Sequence, residues 1–142
     1  MPGWTEPQAS DPPGGGAPEP TLVDVSVGPL AGAVLSRVAG AMAAQAGLRL
    51  DRLADATLIA EALVAHGTRH AQDGRLLTAI TAEPGRLSLR LGPLMPGGGE
   101  RLRRDATLPE VGSVLERLAD EVVVEPGGAG DFVVLRIGTD SA

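Results

Sequence analysis

Hydrophobic and polar positions change their period along the chain, and those changes divide it into elements. Residues 51–70 (DRLADATLIAEALVAHGTRH) carry Leu53, Ala56, Ala60, Leu63, Val64 and Gly67 at helical spacing, while Leu58, Ile59, Ala62 and Ala65 fill most of the remaining circumference. The pattern predicts a central helix apolar nearly all round, covered on more than one side. Glu61 is the only charge between Asp55 and His66. It needs either the rim of a cleft or a partner, because an unpaired buried carboxylate is strongly destabilising.

Before that helix, Val23, Val25 and Val27 alternate with Asp24 and Ser26, which predicts a half-buried strand ended by Gly28-Pro29. Residues 30–46 place Leu30, Val34, Val38, Met42 and Leu35 on one stripe among Ala and Gly, so a second helix is expected to lie close against its neighbour. Gly47 is the expected helix stop and Asp51 the expected N-cap of the central helix. Gln72-Asp73-Gly74 predicts a turn, followed by strands at 75–82 and 86–91 joined through Glu83-Pro84-Gly85. Residues 92–108 read as a loop with flexible glycines and a short Arg-rich piece. A helix at 108–119 follows, with Val111, Val114, Leu115 and Leu118 at core spacing, then strands at 121–125 and 131–137 joined by PGGAG. The order β-α-α-β-β-loop-α-β-β predicts an α+β chain: a two-layer sandwich with a mostly antiparallel sheet.

Residues 1–20 are half Pro and Gly and carry one large apolar side chain, Trp4, so they are expected to be a disordered tail. The expected organisation is tail 1–20, domain 21–138 and C-terminal tail 139–142.

The 142 residues, 43% hydrophobic, suffice for one core without staples. Cysteine is absent, which excludes disulfides and thiolate chemistry. All 12 basic residues are arginine, and the formal charge of -6 argues against a nucleic-acid partner, which would need clustered cations. Without lysine there is no lysine phosphate clamp or Schiff base. No apolar run approaches the ~18 residues of a membrane span, and the N-terminus lacks a basic-then-apolar signal pattern. A cytoplasmic protein with no membrane partner is expected.

The element order, with three short anchors, resembles the ATP-binding domain of bacterial anti-sigma factor serine kinases, within the histidine-kinase-like ATPase superfamily, over about residues 22–137. In that family the central helix carries Glu-x-x-x-Asn, with Asn holding Mg²⁺ and Glu acting on water or the acceptor hydroxyl. Matching Leu63-Val64 and Arg69-His70 to the family's Leu-Val-Thr-Asn-Ala-Val-Arg-His puts His66 at the Asn position and Ala62 at the Glu position. A one-residue shift makes Glu61 the Glu and Ala65 the Asn. The first register aligns four residues rather than one, and in both the magnesium ligand is missing.

The family's adenine-reading Asp-x-Gly-x-Gly corresponds to Gly92-Pro93-Leu94, where Gly92 would mark a tight turn without a carboxylate. Its phosphate-holding Gly-x-Gly corresponds to Glu110-Val111-Gly112. Thr107 and Glu110 also fit a capping box that would occupy the helix's own amides. A carboxylate ~4 Å from a phosphate oxygen opposes binding by about 4 kcal/mol at an effective dielectric near 20.

The resemblance therefore implies a degenerate pocket of Glu61, Ala65, His66, Gly92, Glu110 and Gly112. It implies a non-catalytic regulatory domain without a cofactor, acting on a regulatory protein partner such as a sigma factor or its antagonist. The alternative is an active kinase with ATP and Mg²⁺ in which Glu61 is catalytic. A homodimer stays open. His66 and His70 share a helix face, but no HExxH pattern or third ligand accompanies them, so no metal site is expected. The serines lack any nucleophile-elbow context. Gly97 to Gly99 precede Glu-Arg rather than Lys-Ser/Thr, so a flexible loop is expected there rather than a phosphate loop. Arg101, Arg103 and Arg104 form the densest positive patch, in the region of the family's nucleotide lid.

Overall fold

The computed structural model describes residues 19–25, 30–108 and 112–139. Trp4 and most of the expected N-terminal tail, Ser26 to Pro29, Glu110 and the last three residues lie outside the described residues.

Strand β1 (Thr21–Asp24) leads to helices α1 (Ala31–Gln45) and α2 (Leu50–Gly67), and a 3-10 turn (Thr68–His70) ends α2. Strands β2 (Leu77–Glu83) and β3 (Arg86–Leu94) form a hairpin. Helix α3 (Gly98–Asp105), a small pair β4 (Thr107–Leu108) and β5 (Gly112–Ser113), and the short helix α4 (Val114–Leu118) follow. Strands β6 (Glu121–Glu125) and β7 (Asp131–Gly138) close the chain. The fold is α+β: five strands ordered β1-β2-β3-β7-β6, every neighbouring pair antiparallel, with four α-helices among the described residues.

The register puts one face of the sheet in the core. Thr78, Leu91, Val133 and Val124 lie in one cross-strand row, and Ile80, Leu89, Leu135 and Val122 in the next. Leu89, Leu91, Val133 and Leu135 are fully buried against Leu35, Ile59 and Leu63 from α1 and α2. The opposite face carries Ala79, Arg90, Val134 and Val123, and the Arg90 guanidinium stacks 3.8 Å over the Phe132 ring.

The two long helices form an antiparallel hairpin whose contact is made by small residues, as the sequence suggests. A Cβ at Gly40 would sit 3.1 Å from Thr57 Cγ2, and one at Gly32 would touch Val64. Their connection turns at Gly47, whose φ of +81° is a conformation that glycine adopts without penalty.

The buried stripe of α1 is the expected one only in part. Leu35 is fully buried together with Ala39 and Ala43, and Val38 and Met42 pack half-buried against the core, whereas Leu30 and Val34 are exposed. Nor is α2 covered all round. Asp51, Ala54, Leu58, Glu61 and Ala65 form an exposed stripe at helical spacing, so two layers cover it on one side only. Its N-cap is Arg49; Asp51 lies in the first turn, where its carboxylate accepts the Arg52 N-H at 3.0 Å.

The stretch expected to be a loop is structured. Strand β3 continues through a cis Gly92-Pro93 bond to Leu94, so Gly92 is strand, not a tight turn. It is tightly enclosed: a Cβ there would fall 2.5 Å from Phe132 Cδ2. The glycines expected to be flexible start α3, with Gly97 as N-cap at φ +81°. Both Gly97 N-H (3.0 Å) and Gly99 N-H (3.3 Å) donate to Asp131 Oδ2 from the start of β7. The helix expected at 108–119 is shorter, because Thr107 and Leu108 pair with Gly112 and Ser113 and the helix begins at Val114. Thr107 is therefore a strand residue and not an N-cap.

Candidate functional site

A groove of about 330 Å³ runs between α2 and the segment that includes β4 and α4. Leu58, Glu61 and Ala65 from the exposed stripe of α2 form one wall together with the half-buried Ala62 and His66 beside them. Val114 and Leu118 of α4 and Thr107 of β4 form the other. The direction of α4 follows from Arg52, whose Nη1 donates to the Leu118 carbonyl at 3.0 Å. Leu118 thus lies toward the N-terminal half of α2.

The groove brings together Glu61, Ala65 and His66. Gly92 is not with them: its register partner is Leu77, one position off the core-facing row, and it faces Phe132. Gly112 is exposed in β5 and lines no part of the groove. Glu110 lies outside the described residues. Glu61 is exposed and is the only fully charged side chain on the described lining. His66 Nδ1 is buried with no hydrogen-bond partner among the described residues.

His70, one turn beyond His66, is occupied elsewhere: its ring lies 2.9 Å from Asp105 Oδ2, joining the end of α2 to the end of α3. The hydrogen bond from His70 holds the Asp105 carboxyl below the usual aspartate range, partial desolvation opposes this, and the charges of His70, Arg104 and Arg69 add to the lowering. Among the described residues no three metal-ligating side chains cluster.

On the far side of Thr107 is a polar hollow of about 550 Å³ bounded by Glu100, Arg103, Arg104 and Glu116. Here Arg103 donates to Glu116 at 3.0 Å, and that bond is the leading cause holding Glu116 below the ordinary glutamate range. The Arg-rich patch is thus partly neutralised: Arg103 has Glu116 and Glu100, and Arg104 lies near Asp105.

Two polar centres escaped sequence reasoning. Arg52 is 6% exposed and donates to Asp55, Asp120, the Leu118 carbonyl and the Gly138 carbonyl, fastening α2 to α4, β6 and β7. Asp131 is equally buried and caps α3. A visible signal for Arg52 was its place on the buried stripe with Ala56, Ile59 and Leu63; Asp131 offered none, since its partners are 32 and 34 residues away.

In comparisons with known proteins, no family model matches the chain and no curated protein matches it at a significant level.

Proposed function

We propose that this is a non-catalytic regulatory domain of the anti-sigma factor ATP-binding type, with the nucleotide site lost, that works by binding a protein partner. The observation that carries the reading is the groove itself. Where a nucleotide would need cations and free amides, the described walls offer Leu58, Ala62, Ala65, Val114 and Leu118, with one full charge, the carboxylate of Glu61. A triphosphate placed there would meet repulsion from Glu61, and the described lining offers it no cation of Lys or Arg type and no donors beyond the side chains of Thr107 and His66.

Two further features support it. The Gly97 and Gly99 amides are satisfied by Asp131 and that of Gly98 by the Met95 carbonyl, so the Gly97–Gly99 run has no free donor left for a phosphate. Helix α4 spans only five residues, too short for the dipole of a long helix to collect at its start. The partner would be a regulatory protein, a sigma factor or its antagonist, with neither nucleic acid nor membrane involved. A histidine-kinase-like fold is part of the same proposal, supported by the order of two helices between the first and second strands of an antiparallel sheet.

One observation favours the alternative of an active serine kinase: Glu61 reaches the rim of the groove beside His66. Titration with ATP, with and without Mg²⁺, separates the two readings. No saturable binding supports the regulatory domain, and tight Mg²⁺-dependent binding supports the kinase.

A further inference from the structure

We infer that the groove between α2 and α4 is the docking site for an amphipathic helix of the partner protein, with an apolar stripe, a basic residue set against Glu61 and an acidic residue set against Arg69 and Arg104. The inference rests on the partner-binding reading and deepens it.

The apolar walls come first. Leu58 is 49% exposed although it lies beside Val114 and Leu118, so a large side chain stands at the groove without a cover among the described residues. Alanines at 62 and 65 leave space between it and the far wall. From Leu58 to His66 the groove follows nine residues of α2, about 12 Å of helix rise, which matches roughly two turns of a second helix. The backbone of α2 is hydrogen-bonded within the helix, so this wall offers no ladder to an added strand, and recognition falls to side chains at helical spacing.

The charges then set the partner's chemistry and direction. Midway along the groove the rim is Glu61, which asks for Arg or Lys. Past His66 the same surface reaches Arg69, and past Thr107 in the other direction along the chain it reaches Arg104; both lie close enough to Asp105 to lower its pKa. The Asp105 carboxylate, held 2.9 Å from the His70 ring, offsets one of the two charges, and the positive charge that remains asks for Asp or Glu. A helix carrying both charges is favoured in one direction, because reversing it carries the acidic residue away from Arg69 and Arg104 to the apolar end at Leu58 and Leu118. A lipid surface does not fit, since Glu61 and the formal charge of -6 oppose anionic headgroups.

Random peptides of roughly 12 residues, displayed on phage and selected against the full chain, provide the probe. The expected outcome is enrichment of sequences with apolar residues at i, i+3 or i+4, and i+7, a basic residue on one flank and an acidic residue toward one end. Leu58→Asp should weaken the best of them about tenfold or more. Glu61→Arg, a change at an exposed position that leaves the core intact, should shift the selected flank from basic to acidic. Peptides that bind both variants as well as the parent chain, or no enrichment at all, would overturn the inference. A homodimer of the full chain that Leu58→Asp dissociates would also overturn it, because a second copy would then fill the groove. These outcomes are independent of ATP titration, on which the proposed function stands or falls.

Discussion

Arg52 Nη2 lies 2.6 Å from Asp120 Oδ1, across 68 residues of sequence, and the pair ties the start of the central helix to the start of β6. The other oxygen of Asp120 accepts the Gly138 N-H at 2.7 Å, while Arg52 Nε donates to the Gly138 carbonyl. One buried guanidinium thus fixes the position of α2, and with it the wall that carries Leu58, Glu61 and His66.

Removing that guanidinium should be among the most damaging single changes. Arg52→Ala leaves Asp120, Asp55 and two carbonyls without their donor, and an expected loss of about 3 to 5 kcal/mol follows. Arg52→Lys should not restore it, since an ammonium cannot span four acceptors in a planar fork. Chemical denaturation of both variants measures this; a loss below about 1 kcal/mol for Arg52→Ala would show that the network is incidental.

Asp131→Ala tests the glycine-rich start of α3. With the carboxylate gone, the Gly97 and Gly99 N-H groups lose their acceptor at a partly or fully buried site, for an expected loss of about 1 to 3 kcal/mol. Amide hydrogen exchange should quicken first in α3, and unchanged protection there would contradict the account.

Leu63 and Leu115 are fully buried, one on α2 and one on α4. Leu→Ala at either should cost about 2 to 5 kcal/mol in thermal or denaturant unfolding. A loss under about 1 kcal/mol at both would count against the packing of α4 on α2.

Much of this arrangement is legible in the sequence. The strand around Val23, the stop at Gly47, the hairpin at Pro84-Gly85 and strand β6 at 121–125 all stand where local pattern puts them, because each is decided by neighbours along the chain, although β1 ends at Asp24, before Val25. What the pattern hides depends on distant partners. Gly97 to Gly99 read as loop because glycine is a poor helix former, and a helix starts there only with Asp131 to receive its amides. Leu58 reads as core, since periodicity counts apolar residues but does not show which have a covering element. Of the candidate pocket, Glu61, Ala65 and His66 share one helix and so were readable together. Gly92 joins them only through the family resemblance, and it sits elsewhere in the sheet.

Acid should loosen the α3 region. Asp105 and Glu116 both have folded-state pKa values lowered, mainly by hydrogen bonds from His70 and Arg103. For such carboxylates the stabilisation is present above the unfolded value, near pH 4, and is lost as pH falls through the lowered folded value. The melting temperature should therefore drop below about pH 4, and Asp105→Asn with Glu116→Gln should flatten that drop. Both carboxylates are solvent-accessible, so the effect should shrink at high salt. An identical acid profile for parent and double variant would refute it.

Under the proposed function the groove along α2 does not hold a nucleotide. If a nucleotide site depends on magnesium, adenine and phosphate contacts each worth ~1.5 kcal/mol, a chain without all three would hold ATP in the millimolar range or beyond where a complete site is micromolar. Calorimetric titration of the full chain with Mg²⁺-ATP is the direct measurement. No saturable binding is expected with the nucleotide at millimolar concentration. Saturable binding with Kd below about 100 µM, abolished by Glu61→Ala, would contradict it and identify Glu61 as part of a working kinase site.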